Sequence, residues 1–205
     1  MKKSKADTAE TRKRIVLIAS RLFLERGLAA TGIADVMKEA GLTQGGFYRH
    51  FESKEQLIAE ANEMAFDQIF TTIGKEVAGQ GLGPKGALDK IVQAYLYQHH
   101  AKQPVYLCPM ANLGSELPHA DEQVKAIVNV GYRRLVGYIE ALIQQMGVPN
   151  QAAIADTVFS TMLGAVTAAR LALTESSSLA ILDNARQTID LIVQSAQKAQ
   201  AHAPA

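Results

Sequence analysis

Apolar residues recur along this chain every three or four positions and never alternate cleanly in twos, so the pattern predicts helices throughout. Ile15, Ile18, Ala19, Leu22 and Phe23 make a one-face stripe that predicts a first helix over residues 8–26, ended by Gly27. Ile33, Val36 and Met37 predict a short second helix over 33–40, followed by Gly41. A third short helix opens after Thr43, a good N-cap, and ends near Phe51. Ser53-Lys54-Glu55-Gln56 reads as a capping box that starts a fourth, longer helix running to Ala78. Beyond the Gly-rich break at 80–84, further helices are predicted over 84–102, 104–115, 120–146, 151–174 and 179–200. Their breaks fall at Gln103-Pro104, Leu117-Pro118, Gly147-Val148-Pro149 and the Ser176–Ser178 run. The expectation is an all-α chain of nine helices.

Composition refines that picture at a few points. Hydrophobic residues make up 48% of 205 residues, enough for a real core, while aromatics are 6% and Trp is absent. No apolar run is read as long enough to span a bilayer, and the charged stretch Met1 to Arg14 does not read as a leader. The single cysteine can form no internal disulfide, so the expected setting is cytoplasmic, without a membrane partner. Net charge is only +1, but it is unevenly spread. Residues 1–54 carry 11 Lys/Arg against 6 Asp/Glu, a net of +5, and residues 55–205 carry 10 against 14, a net of −4. A basic head on an acidic body suits a protein that touches phosphates at one end, although Lys2, Lys3 and Lys5 on a solvated tail supply part of the excess.

The most informative stretch is Thr31 to Lys54, TGIADVMKEAGLTQGGFYRHFESK. Two short amphipathic helices meet at Gly41, which permits the left-handed backbone of a tight turn, the layout of a helix-turn-helix. The second of the pair presents Gln44, Tyr48, Arg49 and His50. A glutamine near the start of such a helix can both donate to and accept from adenine in the major groove. Gly45 and Gly46 cost helix stability, at roughly 1 kcal/mol each against alanine, which close approach to DNA would justify. A plain helical hairpin with a solvated face would share much of this pattern.

Gly27, Thr31, Ile33, Ala40-Gly41-Leu42, Thr43, Phe47-Tyr48, His50-Phe51, Ser53-Lys54-Glu55 and Leu57, at these spacings, closely resemble the DNA-binding region of the tetracycline-repressor (TetR) family. The detailed likeness covers about a quarter of the chain. It implies a two-domain fold: a three-helix DNA-binding head over residues 1–54, and a helical ligand-binding and dimerisation domain over 55–205. It also implies a homodimeric repressor that binds a near-palindromic double-stranded operator and leaves it when a small molecule binds. Carried over by position, Thr31, Tyr48 and Lys54, with His50, would touch the DNA backbone. Thr43, Gln44, Gly45 and Arg49 would face the groove, and Leu22, Phe23, Phe47 and Phe51 would be core. Ala34 stands where some members place a polar or basic residue, and Gly46 replaces a small branched one.

Ser160, Gly164, Ala168 and Ala172 recur every four residues, and small residues on one face let two helices approach closely. With Leu182 and Ile189 on the last helix they form the expected dimer interface, although packing within one chain would give the same pattern. The segment Tyr95 to Glu116 mixes aromatic, soft and polar groups, which suits a ligand pocket. Tyr95, His99, Tyr106, Cys108, Met110, Asn112 and Glu116 are its expected lining, and its C-P-M-x-N-L-x-x-E run resembles a segment found in a subset of the family. Cys108 is either an inert buried thiol or an electrophile and oxidant sensor; the latter needs a basic neighbour and exposure. His99 and His100 point roughly 100° apart on a helix and make a poor shared metal site. No nucleophile with its base, metal set or phosphate loop stands at credible spacing, so neither enzyme activity nor a cofactor is expected. A helical adaptor that binds no DNA is the rival class; it leaves Thr31–Lys54 unexplained.

Overall fold

The computed structural model describes residues 5–78, 80–97 and 108–201. The helices are α1 (Lys5–Arg26), α2 (Ile33–Glu39), a 3₁₀ helix (Gln44–Arg49), α3 (Lys54–Val77), α4 (Pro84–Tyr97), α5 (Pro109–Leu113), α6 (Glu122–Gln145), α7 (Gln151–Ala169) and α8 (Glu175–Ala201). Among the described residues these are the expected nine, the third wound as a 3₁₀ helix, with a single 3₁₀ turn at Leu117–His119 besides and no strand.

The residues sort into two compact units. The first holds described residues 5–69 and 108–131, and the second 70–97 and 132–201. α3 and α6 each contribute to both.

In the first unit, α1 buries its predicted stripe: Ile15, Ala19, Leu22 and Phe23 are at most 1% exposed. They join Val36, Met37, Phe47, Phe51, Leu57, Ile58 and Ala61 in one cluster. Leu113, Leu117 and Val124 enter the same cluster, so sequence-distant side chains complete the core of the head. Each large side chain buried this way contributes about 1.5–3 kcal/mol. Truncating Phe47, fully buried where the 3₁₀ helix meets that core, would cost about 3–5 kcal/mol.

In the second unit, α7 packs on α8, and α4 packs on both. Lys85 on α4 donates to Asp190 on α8 at 2.8 Å, and the Tyr97 hydroxyl donates to Asp183. Tyr132 donates to Asp156 at 2.5 Å, and Tyr95 and Tyr132 each meet Phe159 edge-on, with centroids 5.8 and 5.6 Å away.

Two sequence expectations change here. Ser176–Ser178 is no break: the Thr174 hydroxyl oxygen accepts the Ser177 N–H at 3.1 Å, the N-cap bond of a helix, so the serines form the first turn of α8. α7 accordingly ends at Ala169, and Ala172 lies half-buried in the corner. α7 is also long and apolar enough, at 19 residues, to cross a bilayer by length and composition alone, which the sequence pattern was not read to allow.

Candidate nucleic-acid interface

The turn before the 3₁₀ helix is built as its sequence requires. Gly41 has φ +69°, the left-handed region where a Cβ is costly. Its N–H donates to Lys38 O at 3.0 Å, and the Leu42 N–H donates to Met37 O at 2.9 Å, closing α2. Thr43 occupies the N-cap position of the 3₁₀ helix, but its side chain makes no cap bond. With two glycines in six residues and no side-chain cap, the segment stays in the tighter winding common to short helical pieces.

That short helix is anchored from below and bare above. Phe47 is fully buried, stacks on Phe51 at 5.3 Å and meets Tyr48 edge-on at 5.2 Å. Tyr48 is 69% exposed, and Thr43, Gln44, Gly45 and Arg49 are exposed beside it. A Cβ on Gly45 would meet nothing within 4 Å, so no packing within the chain demands a glycine there. His50 is half-buried, and its carbonyl accepts the Arg12 Nε at 3.1 Å. The Arg12 guanidinium lies over the Phe51 ring at 4.5 Å and forks onto Glu60, with Nη2 2.5 Å from Oε1. The sequence pattern gave no sign of Arg12; its role comes from partners 38 and 48 residues away.

Two expected DNA contacts point inward. Thr31 is fully buried, and its hydroxyl donates to Gly27 O at 2.8 Å, with Leu22 O at 3.3 Å. Its side chain therefore closes the α1–α2 corner and is turned away from solvent. The Lys54 ammonium donates to Leu28 O at 2.7 Å and sits 6.0 Å from the Phe23 ring, drawn into the packing of the head. The start of α3 is legible: the Ser53 Oγ accepts the Gln56 N–H at 3.1 Å, while the Gln56 side chain accepts from Glu52 N rather than from Ser53 N.

The expected ligand lining divides. His99 and Tyr106 lie outside the described residues. Tyr95 is buried in the second unit. Cys108, Met110, Asn112 and Glu116 belong to the first unit. The Cys108 thiol is fully buried, and its carbonyl accepts the Asn112 side-chain amide at 2.9 Å. Glu116 is engaged by the head: its two carboxylate oxygens accept the backbone N–H groups of Leu28 (3.0 Å) and Ala29 (2.7 Å). Leu182 and Ile189, expected to face a partner, are at most 2% exposed and are core of their own unit. Ser160, Gly164 and Ala168 are exposed. Among the described residues no three His, Cys, Asp or Glu side chains stand together as a metal site would need.

Residues 15–61 match the family model for bacterial regulatory proteins of the tetR family. The HTH-type transcriptional repressor KstR2 of Rhodococcus jostii is 36% identical over 81 residues, which cover 40% of this chain and 39% of that one. The match thus spans less than half of this curated relative. A TetR transcriptional regulator from Chloroflexus aurantiacus is similar in structure, with a TM-score of 0.76 and 28% identity, covering 90% of this chain and 96% of that one. The reduced form of NemR from E. coli shares the fold at a TM-score of 0.78 and 19% identity, covering 88% and 95%.

Proposed function

We propose that the chain is a TetR-type regulator, a dimeric repressor released from its operator by a small organic molecule; the match of residues 15–61 to the tetR family model and the fold shared with TetR regulators support this reading. The observation that carries the DNA half is the bare face of Gln44, Gly45, Tyr48 and Arg49, held on a short helix whose other side, Phe47, is locked in the core. Polar, aromatic and basic groups on a rigid, exposed helix after a tight turn suit base and phosphate contact together. KstR2 is named a transcriptional repressor, which supports the sign of regulation.

A second copy is the proposed partner of α7. This helix is strongly apolar, yet only 33% of its most apolar window is buried within the chain. Ser160, Gly164 and Ala168 form an exposed row of small side chains, and Leu171 and Leu173 beyond them are 79% and 100% exposed. Closed two-fold pairing would cover such a face and set two heads side by side.

For the effector, the Tyr95, Phe159 and Tyr132 ring cluster supports an organic ligand taken up in the second unit. A thiol-sensing reading gains nothing from Cys108, because full burial keeps an electrophile from its sulfur. The test is a gel shift on the DNA upstream of the chain's own gene, repeated with candidate aromatic and fatty acids. A retarded band lost on adding one of them is expected. No shift on that DNA, with shifted controls, would remove the proposal.

A further inference from the structure

We propose that Glu116, a residue of the strap after α5, is a positioning residue for operator binding: its carboxylate latches the α1–α2 corner of the DNA-binding head. The inference rests on the repressor reading for its DNA half, but the latch stands on geometry within the first unit. Both carboxylate oxygens are used, one on the Leu28 N–H and one on the Ala29 N–H, across 88 and 87 positions of sequence. Those two N–H groups follow the last turn of α1 and lie in the loop that leads to α2. Charge-assisted bonds from a carboxylate to backbone N–H groups are among the stronger ones available to a protein.

The corner is shaped around the carboxylate. Gly27 has φ +93°, and a Cβ there would stand 2.6 Å from Glu116 Oε1. Leu28 is gripped from both sides, since its N–H goes to Glu116 while its carbonyl takes the Lys54 ammonium at the start of α3. Thr31 closes the same loop onto Gly27 O. One carboxylate from the strap and one ammonium from α3 therefore fix Leu28 and Ala29 in the six-residue loop, 27–32, that joins α1 to α2. Leu113 and Leu117, on either side of Glu116, are buried in the core cluster of the head, so the strap enters that cluster on both flanks of the latch.

A latch of this kind acts on the fraction of heads that are competent to bind, not on the contacts made once bound. Apparent affinity falls by that fraction. The number of phosphates neutralised is unchanged, so the slope of log K against log salt is unchanged too. Removing a cationic side chain that pairs with a phosphate would flatten the slope instead.

The test uses full-length dimer and operator DNA. Glu116→Ala is expected to bind operator about 5- to 150-fold more weakly, the usual range of coupling between sites, with a salt slope parallel to that of the wild type. Glu116→Gln, which keeps one acceptor oxygen, should fall between the two. Gly27→Ala should also weaken binding, but by a smaller factor in the Glu116→Ala background than in the wild type, because the oxygen it would strike is gone. By hydrogen exchange, the Leu28 and Ala29 amides of Glu116→Ala should lose protection while α7 and α8 keep theirs. Wild-type affinity in Glu116→Ala, or factors for Gly27→Ala that are equal in both backgrounds, would overturn the positioning role. Unchanged exchange at Leu28 and Ala29 would overturn the latch itself, whatever the DNA result. A wild-type protein that shifts no operator would instead sink the repressor reading and with it the DNA half, while the exchange experiment still decides the latch.

Discussion

Arg12 on α1 and Glu60 on α3 form a two-pronged ion pair beside the 3₁₀ helix, and the Arg12 Nε donates to the carbonyl of that helix's C-cap residue, His50. α1 thereby ties α3 and the end of the 3₁₀ helix to one another. The side chains are 34% and 25% exposed, so solvent screens the pair only in part. Removing one member is expected to cost about 1 kcal/mol from the pair, and about 1 kcal/mol more for the bond to His50. Arg12→Ala should therefore lower stability more than Glu60→Ala does in urea unfolding. In a double-mutant cycle the two should couple, and strictly additive costs would show the pair to be idle.

The inward turn of Thr31 leads to a second expectation. Thr31→Val keeps the shape and removes the hydroxyl bond to Gly27 O. A loss of about 1 kcal/mol in stability should follow, with the slope of operator affinity against salt unchanged. A loss of operator affinity alike on every sequence variant, with stability unchanged, would return this residue to the phosphate contacts. Tyr48→Phe gives the contrast: at 69% exposure its hydroxyl is free to reach a phosphate, so operator binding should weaken alike on every sequence variant with little change in stability.

What the sequence made legible was local. Gly27 and Gly41 take the left-handed backbone that ends α1 and α2, and Ser53 caps α3, because each depends on neighbours within four positions. The buried stripe of α1 follows from its 3.6-residue period. Side chains with distant partners were not legible. Thr31 and Lys54 look like surface contacts until the fold brings Gly27 and Leu28 against them. Glu116 reads as pocket lining until Leu28 and Ala29 claim both its oxygens. Periodicity gave Leu182 and Ile189 an apolar face but could not say that the protomer itself buries both side chains. The serine run before α8 misled because serine serves loops and first helical turns alike, and the deciding residue was Thr174.

The second unit carries an alkaline limit. Burial, and then the hydrogen bond to Asp183, hold the Tyr97 hydroxyl above its ordinary pKa of 10.0. A group whose folded pKa is raised stabilises the fold below its unfolded pKa and stops doing so as pH climbs through the folded one. The contribution is thus complete at neutral pH and fades above pH 10.0. Urea midpoints measured from pH 8 to about 11 should fall more gently at the alkaline end in Tyr97→Phe than in the wild type. Parallel curves would mean the tyrosine takes no part.

Base reading should concentrate at Gln44. An exposed glutamine at the start of a DNA-facing helix can pair bidentately with adenine, worth about 1–3 kcal/mol of discrimination against the wrong base. Gln44→Ala should relax preference at one position in each operator half-site and leave the salt slope alone. Binding that weakens equally on every operator variant would assign Gln44 to the DNA backbone.

Assembly is tested on the bare face of α7. A Cβ on Gly164 would meet nothing within 4 Å in the chain, and the residue is exposed, so a side chain there starts in open space. Helix propensity rises by about 1 kcal/mol when a mid-helix glycine is replaced, so the isolated fold gains slightly if it changes at all. Any loss must then come from outside the protomer. Two helices packed through small residues approach closely, and a leucine on that row forces them apart. Gly164→Leu should sediment or scatter as a monomer, or as higher aggregates from exposed Leu171 and Leu173, with helix content intact. Operator affinity should collapse with it, because a single head has too few phosphate contacts to hold one half-site. Gly164→Ala serves as the control and should stay dimeric, since one methyl group fits the close approach of small residues. A Gly164→Leu protein that remains a stable dimer and binds operator would move the interface off α7.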